Sequence, residues 1–228
     1  MENLNKLGIN TICVHVGEVK DEQFKGAISP IYPSTSYAFD EVDIKRYPRY
    51  FNTPNQEFLR KKIAVLEHTE DALIFSSGMA AISAALFAFL KTGDHVIIQQ
   101  VIYGGTFNFI ANEFDKFGIE YSFTESDKIE DFEPLIRPNA KVMYIETPSN
   151  PLLGITDIKA IAELSKQHQI ITMIDNTFAS PINQNPFDFG INIILHSATK
   201  YMGGHSDISA GAIAATKKHI DLIWKTAI

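Results

Sequence analysis

Downstream of residue 70, short apolar runs alternate with longer stretches of helical period. Residues 72–75, 96–98, 119–123, 142–145, 170–174 and 191–195 are brief and apolar, the mark of buried strands. Residues 79–91, 106–117, 127–137 and 158–168 carry apolar positions at helical spacing. Residues 211–216 predict one further, antiparallel strand before a final helix from Lys217. This alternation predicts an α/β fold: a mostly parallel central sheet with helices on both faces. Upstream, residues 56–68 read as a helix with Phe58, Leu59, Ile63 and Leu66 on one face. Residues 1–55 show no sustained period and carry the turn pairs Ser29-Pro30, Tyr32-Pro33, Tyr47-Pro48 and Thr53-Pro54. So long an irregular stretch predicts an arm that packs on a partner subunit. The chain therefore divides into an arm, 1–55, and an α/β domain, 56–228.

Ligands of open α/β sheets sit outside the carboxyl ends of the strands, so the residues just past each strand carry the most information. Ser76-Ser77-Gly78-Met79 comes after the first run, and Tyr103-Gly104-Gly105-Thr106 lies beyond the second. Glu146-Thr147-Pro148-Ser149-Asn150-Pro151, Asp175-Asn176-Thr177 and Ser197-Ala198-Thr199-Lys200-Tyr201 come after three more. These ends bring hydroxyls, glycines, an aromatic, acids and a lysine to one rim.

Each has a bland reading beside the chemical one. Lys200 is either a surface lysine in a turn or an amine held in a cleft, where desolvation lowers its pKa and the neutral amine attacks a carbonyl. Asp175 is either a helix cap or the partner of a cationic ring nitrogen. Gly78 either eases a helix start or lets a phosphate approach free backbone N–H groups. Ser197 and Thr199 are hydroxyl donors for such a phosphate. Tyr103, with two glycines after it, is a core or rim residue or a platform for a flat ring. Glu146 at a strand end more often satisfies backbone than takes part in chemistry. Taken together, a phosphate cradle, an acid, an aromatic platform and a Schiff-base lysine describe a pyridoxal phosphate site.

Composition narrows the setting. With 45% apolar and 21% charged residues, the 228-residue chain can bury a core. Its net charge of -7 argues against nucleic-acid and anionic-membrane partners. One cysteine, Cys13, permits no intrachain disulfide and fits a cytoplasmic protein. The polar start, Met1 to Lys6, lacks a signal-peptide core, and apolar residues 79–90 fall short of a membrane span. No Gly-x-Gly-x-x-Gly comes after the first strand, which disfavours a dinucleotide fold. His196 and His205 have no neighbouring ligand cluster, so no metal site is expected.

The five segments, in this order, resemble the Cys/Met-metabolism (trans-sulfuration) family of fold-type I pyridoxal phosphate enzymes. That family includes cystathionine gamma-synthase, cystathionine lyases, O-acylhomoserine sulfhydrylases and methionine gamma-lyase. The resemblance implies that Lys200 carries the cofactor and shuttles protons, while Tyr103 stacks on the ring and assists the leaving group. It implies that Asp175 pairs with the ring nitrogen, and that Gly78, Met79, Ser197 and Thr199 hold the phosphate. Asn150 would lie near the substrate carboxylate. Tyr47 and Arg49 match a Tyr-x-Arg pair that reaches the neighbouring subunit's phosphate, which implies a homodimer or homotetramer. The implied reaction is elimination or replacement at the β or γ carbon of a sulfur-containing or O-acylated amino acid.

Three departures accompany the resemblance. Phe51-Asn52-Thr53-Pro54 stands where the family has Gly-Asn-Pro, and Gly105 stands where methionine gamma-lyases have cysteine. The sequence also ends at Ile228, before the family's small C-terminal domain with its carboxylate-gripping arginine. Alternative readings are therefore methionine gamma-lyase, an aminotransferase on the same fold, or a non-catalytic cofactor-binding fragment.

Overall fold

The computed structural model describes residues 7–228; the polar Met1–Lys6 stretch, on which the expectation of no leader rests, lies outside them. Seven strands form one sheet: β1 Asp71–Phe75, β2 His95–Ile98, β3 Glu120–Phe123, β4 Ala140–Glu146, β5 Ile171–Asp175, β6 Ile193–His196 and β7 Gly211–Ala215. Their order across the sheet is β1-β7-β6-β5-β4-β2-β3. β7 alone runs against its neighbours, antiparallel to both β1 and β6. All other pairs are parallel. The carboxyl ends of β1, β2, β4, β5 and β6 consequently share one rim, where β7 begins.

Both faces are covered, and the period-two alternation of the strands decides which side chain goes where. Leu73, Val96, Ile98, Val142, Met173, Leu195 and Ile213 point to one core. There they meet helices α3 (Gly78–Phe89), α4 (Gly104–Glu113) and α7 (Lys217–Ala227) through Ala81, Ala85, Ile110, Ile220 and Ile223. Ala72, Ile97, Met143, Ile145, Ile174 and Ile194 point the other way, toward helices α2 (Pro54–Leu66) and α5 (Ile158–Gln167). Near-continuous apolar strands are the consequence of burial on both sides. Among the described residues no helix is long and apolar enough to cross a membrane.

Two expectations need correction. Residues 127–137 do not form a helix but two short 3-10 turns, Ile129–Asp131 and Glu133–Leu135. Pro134 has no N–H to continue a helical ladder and sits at the start of the second turn. The apolar spacing is nonetheless used, since Phe132 is fully buried with Ile129, Leu135 and Ile136 packed around it. The region upstream of α2 is not wholly irregular either, because Ile9–His15 forms helix α1 and Pro48–Tyr50 a 3-10 turn. Between them the chain runs through turns and irregular segments, with Phe24, Ile28, Ile31 and Phe39 largely exposed.

Candidate active site

The rim is assembled by close approaches that only glycine permits. α3 opens directly after β1, with the Ser77 hydroxyl accepting from Ala80 N–H at 3.1 Å as its cap. The first-turn N–H groups of Gly78 and Met79 face the rim without an intrahelical acceptor. A Cβ on Gly78 would stand 2.8 Å from Ser197 Cβ, and one on Gly211 would stand 2.1 Å from the Ser77 carbonyl oxygen. The α3 start, the β6 exit and the β7 entry thus meet at van der Waals contact. A helix N-terminus with unpaired donors beside a serine hydroxyl can hold an anion such as a phosphate.

Asp175 ends β5 and is 5% exposed. Burial pushes its carboxyl pKa up, against the opposing pull of hydrogen bonds from Thr177 and the charge of His196. Thr177 N–H donates to Asp175 Oδ1 at 3.0 Å, and Thr177 Oγ1 accepts from Ser197 N–H at 2.8 Å. One threonine therefore links the acid to the lysine segment. On the opposite face of the sheet, the fully buried Glu67 pairs with His196 and accepts from Asn176 Nδ2 at 2.9 Å. The two residues flanking the site segments are fixed from below by that contact.

Glu146 ends β4, directly opposite Asp175 in the sheet register. Its Oε2 accepts from Tyr103 N–H at 2.7 Å and its Oε1 from Asn150 N–H at 2.8 Å. Burial, with the neighbouring Asp175 charge as the lesser cause, pushes its pKa up to about 8 despite those two bonds. Gln99 holds the Glu146 backbone on both sides, accepting from its N–H at 3.0 Å and donating to its carbonyl at 2.9 Å. Tyr103 itself is 44% exposed, and its ring lies against Gly105, where a Cβ would come within 2.4 Å of Cε1.

Lys200 comes after β6 in a turn that Gly203 N–H and Gly204 N–H close onto the carbonyls of Ala198 and Lys200 at 2.8 Å. The expected desolvated amine is not found: Lys200 is exposed, as are Tyr201, Gly204 and His205. Phe178 meets Tyr201 edge-on beside it, but Lys200 itself is open to water. Thr199 also differs from expectation. Its hydroxyl donates to the Ala210 carbonyl and accepts from Ala210 N–H, so its proton is engaged in holding the turn. Tyr47 and Arg49 stand together, the guanidinium 5.7 Å from the tyrosine ring centroid, and both are exposed. Among the described residues no cluster of His, Cys, Asp and Glu is arranged to hold a metal ion.

Gln99, Thr177 and Glu67 carry no sequence signal of their roles. Their partners lie far away in sequence or on the backbone, and of the three only Thr177 falls within one of the five rim segments.

Comparison with known proteins adds to this geometry. A family model described as "Cys/Met metabolism PLP-dependent enzyme" matches residues 10–226. Cystathionine beta-lyase MetC of Bacillus subtilis is 44% identical over 213 residues, which are 92% of this chain and 54% of that protein. Cystathionine gamma-synthase of Mycobacterium leprae is 39% identical over 218 residues, covering 94% of this chain and 56% of its own. The crystal structure of metB from Corynebacterium glutamicum superimposes with a TM-score of 0.92 at 36% identity, over 98% of this chain and 59% of that one. The chain spans about half the length of the curated relatives it matches.

Proposed function

Because this chain belongs to the Cys/Met metabolism family of pyridoxal phosphate-dependent enzymes, we propose that it forms the cofactor-binding part of a trans-sulfuration enzyme. The reaction is elimination or replacement at the β or γ carbon of a sulfur-containing or O-acylated amino acid. The observation that carries this reading is the meeting of Gly78, Ser197 and Asp175 at one rim beside Lys200. Gly78 lets the start of α3 lie against Ser197, with which a Cβ would collide, and so brings the adjoining N–H groups and the Ser197 hydroxyl to one place as donors for a phosphate. Asp175 is a buried acid whose carboxylate is disfavoured by its surroundings. A cationic ring nitrogen beside it supplies the missing counter-charge. The residues fit the cofactor.

When bound, pyridoxal phosphate supplies an electron sink for the pair left at the substrate α-carbon. The remaining work falls to this chain. Lys200 Nζ anchors the cofactor and moves the α-proton. Asp175 keeps the ring nitrogen protonated. Tyr103 presents its ring as a platform and its hydroxyl to the leaving group. Met79 contributes its N–H to the phosphate, Thr199 fixes the turn that carries Lys200, and Asn150 orients the substrate. Tyr47 and Arg49 serve a partner subunit's phosphate in a homodimer or larger assembly. The unit is completed by the arm, residues 1–55, packed against that partner.

Exposure of Lys200 favours a second reading as well: these 228 residues alone bind cofactor without turning over substrate. One experiment separates the readings. The protein is loaded with pyridoxal phosphate, reduced with borohydride and digested, and the adduct is mapped. Label on Lys200 together with cystathionine turnover supports the enzyme; label without turnover supports the binding unit; label elsewhere overturns both.

A further inference from the structure

The loops after β2 and β4 each deliver one functional side chain, Tyr103 and Asn150, yet no described hydrogen bond joins one loop's backbone directly to the other's. They are bridged by two buried side chains, Gln99, which bonds Thr156 and the Glu146 backbone, and Glu146 itself. Glu146 is 3% exposed and uses one carboxyl oxygen on each loop, at 2.7 Å to Tyr103 N–H and 2.8 Å to Asn150 N–H. Its backbone cannot drift, because Gln99 brackets both its N–H and its carbonyl, and Gln99 is in turn held by Thr156 Oγ1 at 3.1 Å. Burial of an acid is unfavourable unless its hydrogen-bonding capacity is spent. Here it is spent on the two amides that set where the platform and the substrate-side residue sit.

We propose that Glu146 is a positioning residue that fixes Tyr103 and Asn150 relative to each other through its two carboxyl oxygens. The inference deepens the functional reading above and rests on it for the roles of the two loops. The requirement for a carboxyl group is chemical. Both carboxyl oxygens carry lone pairs and can accept, in the protonated form as in the charged one, whereas a glutamine's amide nitrogen accepts nothing and would meet an N–H donor, so only one loop could be held. Alanine would release both.

Hydrogen exchange at single-amide resolution, on the protein without cofactor, tests the clamp. Glu146→Gln is expected to speed exchange at one of the Tyr103 and Asn150 amides about tenfold or more, and Glu146→Ala at both. Thr172→Val, which removes a buried hydrogen bond to Asn192 outside this network, serves as a control that lowers stability without that selective pattern. With pyridoxal phosphate bound, Glu146→Gln should also change the circular dichroism of the cofactor band, because the platform has moved. Unchanged protection of both amides in Glu146→Gln overturns the proposal, as does equal acceleration in Thr172→Val. A protein that shows the exchange pattern but binds no cofactor keeps the clamp and discards the functional reading.

Discussion

Gly78 lies against Ser197 so closely that a methyl group on it would sit 2.8 Å from the serine Cβ and 3.0 Å from its Cα. Backbone on one side and the helix start on the other leave nothing flexible to yield. Gly78→Ala should therefore push α3 away from the lysine segment, at a cost of about 1–3 kcal/mol typical of overpacking. Cofactor affinity, measured by absorbance titration, should fall at least about tenfold with far-ultraviolet circular dichroism unchanged. Native affinity in the variant would remove the cradle from this position.

Thr177 joins Asp175 to Ser197 with its N–H and hydroxyl. Thr177→Val keeps the backbone bond but strips the acceptor from the Ser197 N–H, leaving a donor unpaired at a typical cost of about 1–3 kcal/mol. Thermal unfolding should register that loss, and Thr177→Ser, which keeps the hydroxyl, should recover most of it. Equal destabilisation by both substitutions would mean that the methyl group matters and the bridge does not.

Glu146 binds its proton more tightly in the folded chain, at about 8, than in the unfolded one, at about 4.5. Its contribution to stability is therefore complete below about pH 4.5 and is lost as pH rises toward 8. Asp175, raised in the same direction, adds to the trend. Urea midpoints of the cofactor-free protein should fall between pH 5 and 8, with a slope of up to about 1.4 kcal/mol per unit for each such group. Glu146→Gln, neutral throughout, should flatten the curve. A variant with the parental slope would place the titration elsewhere.

Arg49 is exposed beside Tyr47 on the arm, with no described hydrogen bond or ion pair tying it to the lysine segment. If it serves a partner's phosphate, Arg49→Ala and Lys200→Ala proteins, each poor in cofactor retention, should complement when mixed. The mixed pair regains one site with native lysine and native arginine. Complementation is read as borohydride-fixed cofactor on the Arg49→Ala chain; none would show that the arginine acts on its own subunit or on nothing.

The alternation of strand and helix was legible because the inner strands are buried on both faces and the helices that cover them on one, which leaves distinct periods. Asp175, Gly78 and Ser197 were legible because a strand end at a shared rim is a place, and a residue type there implies a chemistry. Pairing was not legible. Glu67 stands at the end of α2, yet its partner His196 lies 129 residues further along the chain, and no local pattern connects them. Residues 127–137 show how period misleads: Ile129, Phe132, Leu135 and Ile136 do face the core, but two tight turns space apolar residues much as one helix does. The environment of Lys200 was not legible either, since desolvation depends on what covers a turn and not on its own residues.

The lone antiparallel strand also governs the order in which the protein can be made. Among the described residues β1 pairs only with β7, and every other strand of the sheet lies between them in sequence. During synthesis β1 emerges first and waits, its edge unpaired, until the last strand slots between it and β6. Such distant closure is slow and leaves an intermediate prone to association. Because Gly211 and Ser77 meet at this seam, the anion cradle comes into being only at that closing step. Pyridoxal phosphate can thus reward a finished sheet but cannot template an unfinished one.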